Sequence, residues 1–174
     1  RVVEGRDEND RKIEYRDGLK VKLGLMVTRS KPLEASIETT MGPQKINSQR
    51  FVIPLIAETK TITRDGKSVV GLFFKNNIDY KPDNGKSMEH LFLPESDGYV
   101  GFDQVIRAAL ASSAFPFAFG RVNLEYCRPV TGATASAGSS SDTCPGNARH
   151  SSGYFIDGGT FDNVPLGVAV ELIE

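Results

Sequence analysis

The chain has 174 residues, of which 39% are hydrophobic and 25% charged, and a formal net charge of −1. That is enough for one globular domain of ordinary soluble composition. It excludes a basic field for nucleic acid and an acidic tail, and no stretch approaches the roughly 18 apolar residues of a membrane span.

The chain opens on Arg rather than Met and shows no signal peptide. It is expected to be a piece of a longer polypeptide, and localisation is not legible from this end. The mixed charges of Arg6–Lys12 read as a solvated loop or terminus. Residues 19–28, LKVKLGLMVT, alternate and then run apolar, which predicts a strand that starts half exposed and ends buried. Residues 34–40 and 51–57 (FVIPLIA) are weaker strand candidates, and Pro54 argues for an edge or a bulge. In TRDGKSVVGLFFKNN, Asp65-Gly66 is a two-residue turn signal, and Val69–Phe74 is strand-like, so a hairpin is expected. Residues 79–99 are rich in Pro, Asp, Asn, Gly and Ser and read as mostly loop.

Residues 101–113 give the clearest helix, with Phe102, Val105, Ile106, Ala109 and Leu110 at the spacing of one apolar face. Asp103 suits its positive N-terminal end, and Pro116 stops it. Residues 131–152 are small, polar and of low complexity, and predict a long mobile loop. A strand over 153–157 follows. Asn163 can cap a last helix, with Pro165 in its first turn and Leu166, Ala169, Val170 and Ile173 as its buried stripe. The order of elements fits an α/β layer that lacks its usual strand-and-helix start. The two cysteines, Cys127 and Cys144, are too few for a zinc site. They flank the loose loop, and a disulfide between them stays open beside two free thiols.

Two segments carry candidate chemistry. In GYFIDGGTFDNVPLGVAV, residues 153–170, an apolar run delivers one acid, Asp157, followed by Gly158 and Gly159. An Asp-Gly pair by itself is an ordinary turn. Here the acid ends a strand, where open α/β sheets place their sites, and two glycines permit a sharp turn and a close backbone approach. In AALASSAFPFAF, residues 108–119, small residues close the helix, and Phe115, Phe117 and Phe119 follow as candidates for an apolar pocket or for plain core.

Together these segments resemble the C-terminal half of the patatin-like phospholipases. There a helix ending Ala-Ser-Ser-Ala-x-Pro, here Ala111–Pro116, precedes Asp-Gly-Gly, here Asp157-Gly158-Gly159, with Asn163 and Pro165 spaced as the family has them. Leu23–Thr28 is similar to the family's central strand. The resemblance implies a lipid acyl hydrolase with a Ser-Asp dyad: a serine in Gly-x-Ser-x-Gly gives its proton directly to Asp157, and a glycine-rich loop supplies oxyanion N–H groups. It also implies a phospholipid or other acyl-ester substrate, with no cofactor and no metal, while localisation and peripheral contact with a membrane stay open. Only Asp157 and its two glycines carry over. No serine of this sequence has Gly at both i−2 and i+2; Ser68, Ser87 and Ser136 each have one.

The remaining motifs fail on spacing. Gly-Lys-Ser occurs at 66–68 and 85–87, but the glycine a phosphate loop needs five residues upstream is Thr61 or Tyr80. Asp79 and Asp83 lack the ligand alternation of a calcium loop. His90 and His150 are not expected to build a Ser-His-Asp triad. The expectation is therefore that residues 1–174 are the C-terminal portion of one three-layer α/β/α patatin-like domain, without its N-terminal strands and nucleophile elbow. Alone the chain is expected to be inactive, since a carboxylate with neither nucleophile nor oxyanion donors is no catalyst. The rival is a non-catalytic α/β module that binds a partner through apolar helix faces. A hydrolase portion should differ from it by leaving unpaired backbone along the sheet edge where further strands belong.

Overall fold

The computed structural model describes residues 5–6, 12–13, 17–39, 42–81, 89–114, 120–129 and 143–157. Two short strands, β1 (Gly5–Arg6) and β2 (Lys12–Ile13), pair with each other. The main sheet holds β3 (Lys20–Thr39), β4 (Gly42–Arg64), β5 (Lys67–Asn76), β6 (Glu89–His90), β7 (Glu95–Ser96) and β8 (Tyr99–Val100). After α1 (Phe102–Ser113) come β9 (Val122–Arg128) and β10 (Arg149–Asp157). The strand order is β7-β8-β5-β4-β3-β10-β9, with β6 on β4 as a parallel pair in an otherwise antiparallel sheet. One helix on a mostly antiparallel sheet is the described architecture.

The Asp65-Gly66 hairpin forms as its sequence demands. Both residues adopt positive φ, 51° and 72°, the geometry of a turn whose twist matches two antiparallel strands. The strand expected at 19–28 runs on through 34–39, with a register irregularity between Thr28 and Leu33. Pro54 departs from expectation. It lies fully buried inside β4, opposite Gly24 of β3 and away from the irregularity. Its carbonyl accepts from Asn77 N–H at 2.9 Å, on the β5 side. A residue's N and O face the same edge, so the donor that Pro lacks falls where the β5 ladder ends, and the β3 ladder loses nothing.

Phe51, Val52, Ile53 and Leu55 are fully buried, so β4 is covered on both faces. One face joins Val27, Leu124, Tyr126 and Phe155 in the main core, and the other carries Val52 against Tyr80. The helix meets the main core through Val105, Ala108 and Ala111. This corrects the expected face: Phe102 and Val105 point inward, but Ile106 and Leu110 are 44% and 55% exposed. The apolar face was chosen by hydrophobicity, whereas the packed face is chosen by size, because alanines let the helix sit close to β9 and β10.

The expected loop over 131–152 also needs correction at its end. Residues 149–152 are already strand, because β9 offers them a pairing partner from Arg128 to Glu125. Thr143–Ala148 forms a turn tied to β9 by the Cys127–Cys144 disulfide. Residues 131–142 and the expected last helix, with Asn163 and Pro165, lie outside the described residues.

The segment 89–92 closes a circuit. Leu91 N–H donates to Val52 on β4, and Phe92 exchanges two hydrogen bonds with Cys127 on β9. β4, β3, β10 and β9 complete the ring. Asn76 holds the next residues in place: its amide Nδ2 donates to Leu93 C=O at 2.8 Å and to Glu95 Oε1 at 2.7 Å, and its Oδ1 accepts from Leu93 N–H at 2.9 Å. The buried side chain thus replaces a strand partner for Leu93.

Replacing Asn76 by Leu should destabilise the fold by roughly 3 kcal/mol, since both backbone groups of Leu93 lose their buried partners; urea denaturation measures it. Reducing the disulfide should cost about 3 kcal/mol for a loop of this length, read as a lower urea midpoint with dithiothreitol than without.

Candidate functional site

Asp157 is the last residue of β10, paired with Val27 of β3. Phe155, two residues earlier, is fully buried against Tyr126, ring centroids 5.5 Å apart and edge to face. That anchors the strand end. Asp157 itself is half-buried, neither in the core nor out in solvent.

The two segments singled out in the sequence meet here. Asp157 N–H donates to the carbonyl of Ala114 at 3.0 Å, immediately after the last turn of α1. The small residues permit the contact: Ala108 and Ala111 have no exposed surface and Ala114 only 3%. A larger side chain at either inward position would hold the helix off the strand. Ser113 turns its hydroxyl back onto the helix, towards the carbonyls of Ala109 (3.1 Å) and Leu110 (3.3 Å). Its Oγ is engaged locally.

Gly158 and Gly159, the expected turn, and Phe115 and Phe117, the expected pocket lining, lie outside the described residues. Neither histidine is brought into a relay. His150 lies seven residues before Asp157 on the same strand, about 23 Å away, and its Nε2 is 3.8 Å from Glu125. His90 is packed edge-on to Tyr80 and Phe92, and burial lowers its pKa, so it is a neutral core ring.

The densest charge cluster is structural in character. Burial alone would raise the pKa of Glu58, but the ammonium groups of Lys60 and Lys75 beside it outweigh that, and the net shift is downward. The two ammonium groups lie 2.7 and 3.0 Å from Glu58 Oε1 and 5.3 and 5.0 Å from the Tyr99 ring centroid. Among the described residues no group of three or more His, Cys, Asp or Glu is arranged to hold a metal ion, and no helix is long and apolar enough to cross a membrane.

Two features went unread in the sequence. One is the Asn76 clamp, which periodicity cannot signal. The other is a cleft between α1 and β9, lined by Leu93, Gln104, Arg107, Asn123, Leu124 and Glu125.

The end of β10 thus sets a half-buried acid beside the alanine-rich end of α1. The family model of the patatin-like phospholipases matches residues 8–170, most of the chain. The chain belongs to the patatin-like phospholipase family, whose function class is lipid acyl hydrolysis and whose substrates are lipids. No curated protein and no solved structure matches it significantly.

Ala111→Leu should push α1 away from β10 and cost roughly 2 kcal/mol by overpacking, whereas Leu110→Ala, on the exposed face, should cost under about 0.5 kcal/mol. Equal losses in thermal melts would contradict the assigned faces.

Proposed function

We propose that Asp157 is the general base of a Ser-Asp dyad in a lipid acyl hydrolase, acting on a serine that this chain does not carry. The chemistry requires a hydroxyl within hydrogen-bond reach of the carboxylate and N–H donors aimed at the oxyanion. The sequence has no Gly-x-Ser-x-Gly, so nucleophile and oxyanion loop would come from another segment of the same domain. Residues 1–174 would then be the C-terminal portion of one three-layer α/β/α domain.

The observation that carries the reading is the hydrogen bond from Asp157 N–H to Ala114 C=O. It joins the family's two motifs at the strand end where a base is needed. Gly158 and Gly159 are proposed as the turn that follows the base, and Phe115 and Phe117 as the acyl-pocket wall. The substrate is proposed as a phospholipid or a related acyl ester.

Co-expressed with the upstream segment of its gene, the chain is expected to hydrolyse a p-nitrophenyl acyl ester. Asp157→Asn should reduce the rate at least about a hundredfold. The isolated chain should not be labelled by a fluorophosphonate serine probe. Labelling of the isolated chain, or an active Asp157→Asn complex, would overturn the dyad.

A further inference from the structure

Strand register gathers positive charge at one end of one sheet face. Directly opposed residues of antiparallel strands share a face, as do residues two apart on one strand. Lys20 of β3 opposes Glu58 of β4, and Lys22 opposes Ile56, which in turn opposes Lys75 of β5. Lys60, Ile62 and Arg64 follow Glu58 on that face, and Lys67 opposes Arg64 beside the Asp65-Gly66 turn. Six cations thus share a face with one carboxylate, in a chain whose net charge is −1. This face is turned away from α1, because the helix packs on the side of Val27, Leu124 and Phe155.

Glu58 balances only part of this charge. Its buried carboxylate takes the ammonium groups of Lys60 and Lys75. Lys20, Lys22, Arg64 and Lys67 are exposed and form no ion pair among the described residues. Two further acids stand at the margin: Asp17 accepts the N–H of Thr61 at 2.9 Å, and Asp65 forms the turn. Between the cations lie apolar groups. Ile62 opposes Val69, both half-buried, and Phe73 packs on Tyr99 with ring centroids 5.2 Å apart. From the level of Lys75 to that of Lys67 the patch runs about 27 Å along β4.

We propose that this face docks the protein on an anionic lipid surface; the choice of a lipid occupant rests on the phospholipid substrate proposed above. Clustered Lys and Arg are drawn to the negative potential of acidic headgroups. Lysine stems lie along apolar surface while their ammonium groups reach outward. Aliphatic and aromatic groups set between cations fit the boundary between headgroups and acyl chains. A nucleic acid would answer the charge alone, since Ile62 and Val69 offer a base no stacking platform. The position also suits delivery of substrate. β10 runs antiparallel to β3, so it reaches Asp157, opposite Val27, while heading towards Lys22. The patch begins at Lys22, about 17 Å along β3 from that pairing. Asp157 and the docking face therefore lie towards the same end of the sheet.

Vesicle sedimentation of the 174-residue chain tests the docking. Phosphatidylcholine vesicles carrying phosphatidylserine should bind it, pure phosphatidylcholine vesicles should not, and high salt should release it. Reversing the four exposed cations together (Lys20→Glu, Lys22→Glu, Arg64→Glu, Lys67→Glu) should weaken binding at least about a hundredfold. Should urea denaturation show that this variant does not fold, Lys22→Gln with Lys67→Gln supplies the test, with a loss of at least about tenfold. Arg107→Glu, on α1 across the sheet, should bind as the unsubstituted chain does. The inference is overturned if the phosphatidylserine vesicles do not bind, if pure phosphatidylcholine binds as well, or if the charge variants bind undiminished. Capture by duplex DNA without binding to vesicles overturns it too. Hydrolysis of a soluble p-nitrophenyl ester by the chain co-expressed with its upstream segment is read separately. It should survive the charge variants and fall in Asp157→Asn, which should still bind vesicles. Failed docking with that fall intact leaves the dyad standing. An active Asp157→Asn complex that docks removes the dyad and leaves the surface assigned.

Discussion

The contact between the end of α1 and the end of β10 governs the candidate site. A helix can bring a backbone carbonyl to a strand's N–H only if nothing bulky stands between the two axes. Ala108, Ala111 and Ala114 meet that condition at successive inward positions. The bond from Asp157 N–H to Ala114 C=O then fixes the strand end laterally, while Phe155 against Tyr126 fixes it in depth. The dyad proposed for Asp157 would require such immobility, because a misplacement of about 1 Å can cost two orders of magnitude in rate.

Residues 89–92 join the two flanks of the sheet by backbone hydrogen bonds to Val52 and Cys127. Where residues 89–92 bridge β4 and β9, the circuit of strands is closed over a buried core with Phe51, Leu91 and Leu124. Asn76 then diverts the chain, since an amide that serves both backbone groups of Leu93 removes that residue's need for a strand neighbour. The diversion leaves the outward backbone groups of Asn123 and Glu125 without a backbone partner among the described residues.

What the sequence made legible was local. Asp65-Gly66, the run Tyr154–Asp157 and the extent of α1 are set by turn chemistry and short-range pattern, and each forms where expected. The face of α1 was misjudged because periodicity weighs apolarity and not volume: Ile106 and Leu110 outscore Ala108 and Ala111, yet only the small pair fits. Pro54 was misjudged because its cost depends on which edge its nitrogen faces, and that is a matter of register. Residues 149–152 carry no apolar signal, and they are strand only because β9 pairs them. The strand end at Asp157 is legible through its apolar run, whereas the cleft beside Arg107 joins elements that are distant in sequence and leaves no local trace.

The half-burial of Asp157 bears on its chemistry. Its carboxylate is neither sealed in the core nor fully surrounded by water. Glu58 shows what this fold does with a carboxylate that must stay ionised in the interior: it surrounds it with two ammonium groups, and the acid is thereby consumed in structure. Asp157 lies instead at a strand terminus beside a helix end, with its backbone N–H already given to Ala114. Its position is thus held in part through the main chain.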